Sequence, residues 1–119
     1  MKRIPELFLG DIIKAAQHIL DFVKDFDYDE FIDDEKTSSA VIRKFEIIGE
    51  AAKNIPDAIK KKYSDIPWKN IAGMRNHLIH GYFGVDYVIV WDTIQSDIPK
   101  IIKSVSQILN ESDQEKQTG

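Results

Sequence analysis

An all-α fold, an antiparallel bundle of four to five helices, is predicted for this chain by two observations. Apolar residues recur at spacings of three and four along most of its 119 residues, and no segment alternates convincingly with a period of two. The length suits one domain and is too short for two independent cores. Residues 1–109 are therefore read as a single helical domain and 110–119, which are polar, as a flexible tail.

From Ile4 to Phe26 the stripe Ile4, Phe8, Ile12, Ala15, Ile19, Phe22 and Phe26 marks the first helix, with Pro5 in its first turn, where a missing N–H costs little. Seven acids then fall between Asp25 and Glu35 around Tyr28 and Phe31, a segment read as a connecting loop. Thr37, Ser38 and Ser39 offer N-cap hydroxyls for a second helix with the stripe Val41, Phe45, Ile48, Ala52 and Ile55, ending near Asn54 and Pro56. Gly49 in its middle fits a close helix contact. A short helical turn is expected over Pro56 to Lys62. Pro67 and Trp68 open a third helix through Ile71, Ala72, Leu78, Ile79 and Tyr82, interrupted at Gly81 and Gly84. The run Tyr87-Val88-Ile89-Val90-Trp91 has strand-like composition. The longer phase Trp91, Ile94, Ile98, Ile101, Val105 and Ile108 is helical, and Pro99 inside it predicts a kink or a break into two helices. So many amphipathic helices in so short a chain leave a thin core, and an exposed apolar stripe would favour a homodimer.

Composition narrows the function. Lys plus Arg number 16 and Asp plus Glu 20, a net charge of −4, which argues against a histone-like or polybasic nucleic-acid binder. Hydrophobic residues at 43% and charged ones at 30% suit a globular domain and are too apolar for a disordered chain. Without cysteine there is no disulfide framework, thiolate zinc site or cysteine nucleophile. No window reaches the roughly 18 consecutive apolar residues of a membrane span, and no apolar signal segment follows Met1, so a cytoplasmic location is expected.

The chemistry-bearing stretch is Gly73 to Phe83. At about 100° per residue Arg75 falls in phase with the apolar stripe of its helix, a costly place for a group that cannot shed its proton. It must find carboxylate, phosphate or carbonyl partners or sit in a cleft. Asn76 and His80 are four apart, close enough for the amide to orient the imidazole. Arg75 and His80, five apart, converge if the helix deforms near Gly81, beyond which Tyr82 adds a phenol. Such a set suits phosphodiester chemistry on RNA. A histidine can exchange protons with the 2′-hydroxyl or the leaving oxygen, and arginine can neutralise charge developing on phosphorus. No metal or other cofactor is needed where the ribose supplies the nucleophile. The plainer reading pairs Arg75 with Glu46 or Glu50 and leaves the histidines capping a helix end, and chemistry alone favours it modestly. The i, i+4 carboxylates Glu46 and Glu50 could hold a metal, but holding Arg75 is the simpler role. Lys60, Lys61, Lys62 and Lys69 form a basic run able to guide an RNA backbone, although a solvated helix end explains such runs more often. The acidic segment lacks the spacing of a calcium loop. His18 reads as structural, and His77 falls on a different face from His80.

Taken together, Ala40 to Ala52 with its Gly49-Glu50 pair, Ile66-Pro67-Trp68, Ile71-Ala72-Gly73-Met74-Arg75-Asn76, His80-Gly81-Tyr82-Phe83 and Val85-Asp86 make this sequence similar to the HEPN domains (higher eukaryotes and prokaryotes nucleotide-binding), in their HepT-like branch. Arg75, His80 and Tyr82 fit the signature Arg-x4-His-x-Tyr without a gap, and Asn76 holds the polar position after the arginine. The resemblance implies an all-α bundle that dimerises so that two motifs line a shared cleft. It implies a metal-independent endoribonuclease toxin of a type VII-like toxin–antitoxin pair, acting on tRNA or mRNA. Arg75 would hold the scissile phosphate, His80 serve as general acid or base, and Asn76 position one of them. The partner would be a minimal nucleotidyltransferase antitoxin that transfers AMP onto Tyr82. The rival reading is a non-catalytic subunit that presents a nucleotide or substrate to a separate nucleotidyltransferase.

Overall fold

The long helices form because their apolar residues share one face, and they assemble by burying it. The computed structural model describes residues 4–78 and 84–118, with side chains as far as Glu111. Its elements are α1 (Pro5–Val23), α2 (Tyr28–Asp33), α3 (Glu35–Lys53), α4 (Asp57–Lys62), α5 (Trp68–Ala72), α6 (Met74–Leu78), α7 (Tyr87–Ser96) and α8 (Ile98–Thr118). All regular elements among the described residues are helical, as the spacing predicts.

Helix α1 buries Leu9, Ile12, Ala15, Ala16, Ile19 and Val23, and α3 buries Val41, Phe45, Ile48, Ala51 and Ala52. The two pack antiparallel: Phe8 and Asp11 share a cavity wall with Ala51 and Asn54, whereas His18 shares one with Lys44. Helix α8 closes the core with Ile98, Ile101, Val105 and Ile108. It also runs antiparallel to α1, since Pro5 and Leu9 meet Ile108. Beyond Asn110 its backbone remains helical to Thr118.

Three local expectations are corrected. The acidic segment is not a loop throughout but contains α2. Asp27 caps it by accepting from the Glu30 N–H at 2.8 Å while Glu30 accepts from the Asp27 N–H at 3.2 Å, a reciprocal capping box. Phe31, fully buried, anchors this acidic helix against Trp91 at 5.3 Å and Tyr87 at 6.3 Å between ring centroids. The N-cap of α3 is Asp34, which accepts from the Thr37 N–H at 3.0 Å, so the helix starts ahead of the hydroxyl run Thr37, Ser38 and Ser39. Ser38 lies buried inside it, its hydroxyl donating to the Glu35 carbonyl. The third helix divides at Gly73 into α5 and α6.

The expected break near Pro99 is present. The Asp97 N–H donates to the Thr93 carbonyl and the Asp97 carbonyl accepts from the Ile101 N–H, so hydrogen bonding continues across the junction. Pro99 then falls in the first turn of α8, where it needs no donor. The strand-like run lies in α7, capped by Asp86, whose carboxylate accepts from the Ile89 N–H at 3.1 Å.

Gly49 has the close-contact role that its position suggested. A Cβ there would stand 3.1 Å from the Ala72 carbonyl oxygen of α5. Gly49→Val should therefore force α5 away from α3 and cost about 1–3 kcal/mol, the range for overpacking, seen as a lower urea midpoint with an unchanged slope. Phe31→Ala should cost about 3–5 kcal/mol in the same titration, because it empties a fully buried aromatic site.

Candidate active site

Two short helices carry the described part of the motif. The Trp68 indole N–H donates to the Tyr63 carbonyl at 3.1 Å and fixes the start of α5. After Gly73, α6 turns Met74 and Leu78 into the core. This corrects the expectation for Arg75. The buried line runs through Ile71, Met74 and Leu78, so Arg75 stands beside it with its side chain 54% exposed, not facing the core. Asn76 and His77 are also exposed on α6. His80 and Tyr82 lie outside the described residues.

Of the two carboxylates considered for Arg75, the structure brings it to Glu46, with Nε 3.8 Å from Oε1. Glu46 is shared, since Oε2 lies 3.6 Å from Nη1 of Arg43 one turn earlier on α3. One partly exposed carboxylate thus faces two guanidinium groups. At this exposure such a pair contributes about 0–1 kcal/mol to stability, so Arg75 can exchange its partner for a phosphate at little cost. Arg43 escaped sequence reasoning, although its i, i+3 spacing to Glu46 was the available signal. Glu50 is exposed one turn beyond Glu46. It lines the same cavity of about 180 Å³ with Phe8, Asp11 and Asn54, and its backbone carbonyl accepts from Asn54 Nδ2 at 2.9 Å.

The lysines do not share one surface. Lys62 lies on α4 beside the α1 and α8 residues Pro5, Leu9 and Ile108, with Nζ 5.6 Å from the Tyr63 ring centroid. Lys60 is half-buried and Lys61 exposed on the same helix. Lys69, on α5, instead lines a cavity with His77, Thr93 and Asp97. Among the described residues no cluster of three or more histidines and carboxylates is arranged to hold a metal ion, and no helix is long and apolar enough to cross a membrane.

Comparison with known proteins decides between the general readings. Residues 12–108 match the family described as Ribonuclease HepT-like. The chain belongs to the HepT-like ribonuclease family. Relatives cover nearly its whole length. It is 49% identical over 110 residues to putative RNase MJ0125 of Methanocaldococcus jannaschii, which is 92% of this chain and 95% of that one. It is 46% identical over 101 residues to a probable ribonuclease HepT of Thermococcus cleftensis, covering 85% and 92% of the two chains. No solved structure gives a significant match. In this HepT-like chain the segment between Leu78 and Gly84, which carries His80 and Tyr82, is bounded by α6 and α7. The two flanks are tied where the Asp86 N–H donates to the Leu78 carbonyl at 2.9 Å.

Proposed function

We propose that this HepT-like ribonuclease is the toxin of a type VII-like toxin–antitoxin pair, cutting tRNA or mRNA in the cytoplasm without a metal ion. The observation that carries the reading is Arg75. In a chain of a ribonuclease family its guanidinium stands half exposed on α6, held by one shared carboxylate at 3.8 Å, and five residues ahead of a histidine. Its remaining N–H donors suit two phosphate oxygens, which arginine can engage as a fork.

In this reading the ribose 2′-oxygen attacks phosphorus and the bond from phosphorus to the 5′-oxygen breaks. A 2′,3′-cyclic phosphate and a 5′-hydroxyl result. The proton leaves the 2′-oxygen and one returns to the 5′-oxygen. His80 mediates proton transfer, Asn76 orients it or the phosphate, and Arg75 meets the negative charge that builds on the phosphoryl oxygens. Two copies would bring their motifs to one cleft. Glu46 would steady Arg75 until RNA arrives, and Lys69 of α5 would add salt-sensitive attraction to the backbone.

A minimal nucleotidyltransferase would neutralise the toxin by moving AMP from ATP onto the Tyr82 oxygen, with pyrophosphate leaving. The added bulk and negative charge would occupy the place of an RNA phosphate. The test incubates the chain with such a transferase, ATP and magnesium, then measures intact mass and RNA cutting. A gain of one AMP by wild type but not by Tyr82→Phe, with cutting lost in step, is the expected result. Full cutting by quantitatively modified protein would contradict it.

A further inference from the structure

The flank of α6 opposite Arg75 carries a second feature. On a helix with about 100° per residue, Arg75 and His77 fall to either side of the buried Met74, roughly 160° apart. On the His77 side two cavities share Asn70, Met74 and Asp97 in their walls. The smaller, about 220 Å³, is floored by Ile66, Pro67, Ile71, Met74 and Ile101, with Lys100 and Ser104 at its edge. The larger, about 400 Å³, is more polar and is lined by Lys69, Gly73, His77 and Thr93.

Three properties leave this groove free to take a ligand. Among the described residues, the side chains of Lys69, Asn70, His77, Asp97 and Lys100 make no hydrogen bond or ion pair, and all five are exposed. Thr93, by contrast, has its hydroxyl committed to the Ile89 carbonyl at 2.7 Å. Second, Gly73 is not required by packing or conformation. Its φ is −91°, and a Cβ there would meet nothing closer than the Lys69 carbonyl at 3.4 Å. The missing side chain therefore leaves space in the groove wall. Third, the charges are asymmetric, with two lysines against one aspartate.

We propose that this groove is a base-recognition site, holding one unstacked nucleotide of the RNA on the flank of α6 opposite Arg75. The inference rests on the ribonuclease reading and adds what sets its sequence preference. The apolar floor matches the flat face of a base. Asn70 and Asp97, an amide and a carboxylate on the shared wall, can donate to and accept from its edge, the pattern by which splayed-out bases are read. Lys69 and Lys100 would meet the flanking phosphates. The net positive rim favours this polyanion over an apolar partner helix.

Two measurements test the proposal. The first compares cutting of end-labelled single-stranded oligoribonucleotides that differ in one base beside the cut, by wild type and by Asn70→Ala and Asp97→Ala. Both residues are exposed, so the variants keep the core. Wild type should prefer one base at one flanking position, and each variant should lower that preference about tenfold, as expected for losing a hydrogen-bonded base contact. Equal preference in wild type and both variants would overturn the groove while leaving the ribonuclease reading intact. The second titrates the four 5′-mononucleotides into 15N-labelled protein, which needs no activity. Shifts at the amides of Lys69, Asn70, Gly73, His77 and Asp97 for one nucleotide over the others would support the site even if no RNA were cut. Shifts absent there at millimolar nucleotide would overturn it.

Discussion

His80→Ala should leave the fold unchanged and lower RNA cleavage by about 10²–10⁴, the contribution of a positioned acid–base group. The expectation follows from the division of labour in the chain. The described core on this side runs through Ile71, Met74 and Leu78. A thermal melt matching wild type beside a lost band pattern is the expected pair of results. Equal cutting by the variant would remove the imidazole from the mechanism.

Arg75→Ala should lower cleavage by about 10²–10³, the effect of removing a donor aimed at developing negative charge. Stability should change by no more than about 1 kcal/mol, because an exposed pair with Glu46 adds little. Arg75→Lys separates charge from geometry. Lysine keeps the positive charge but not the planar fork, so it should restore RNA binding better than the rate of cutting. If Arg75→Ala instead lowered the melting temperature sharply while cutting persisted, the arginine would be a structural strut. Raising salt should weaken wild-type binding steeply, since affinity in a chain of net charge −4 depends on a local cationic surface.

The long helices were legible because burial writes its period into sequence. The stripes of α3 and α8 match the buried residues closely, and even the strand-like run at Tyr87 gave way to helical phase, whereas in α1 the stripe lies off the true inward line, which runs through Leu9, Ile12, Ala16, Ile19 and Val23 and leaves Ile4 and Phe22 exposed. Short elements were not legible by that route. Helix α2 spans six residues, fewer than two turns, so its signal was the spacing of Asp27 and Glu30 instead of any periodicity. Asp34 won the N-cap of α3 over Thr37, Ser38 and Ser39 because a carboxylate one turn earlier was already placed to accept from the Thr37 N–H. A stripe through Ile71, Ala72 and Leu78 that omits Met74 puts Arg75 in phase with the core. The division at Gly73 and the burial of Met74 set the true inward line, and Arg75 falls at its edge. His77 falls on a different face from His80 by sequence spacing. That face proves to carry a groove which no periodicity could show, since it joins residues of α5 and α6 to the α7–α8 junction.

One measurement tests metal-independent cutting through the ribose hydroxyl directly. End-labelled tRNA and mRNA are incubated in EDTA with protein produced without any nucleotidyltransferase and checked by intact mass for unmodified Tyr82. A second substrate carries a single 2′-deoxy nucleotide at the mapped cut. The account predicts cutting in EDTA that leaves a cyclic phosphate end and is lost at the deoxy position alone. Cutting that requires an added divalent cation, or that continues at the deoxy position, would contradict it.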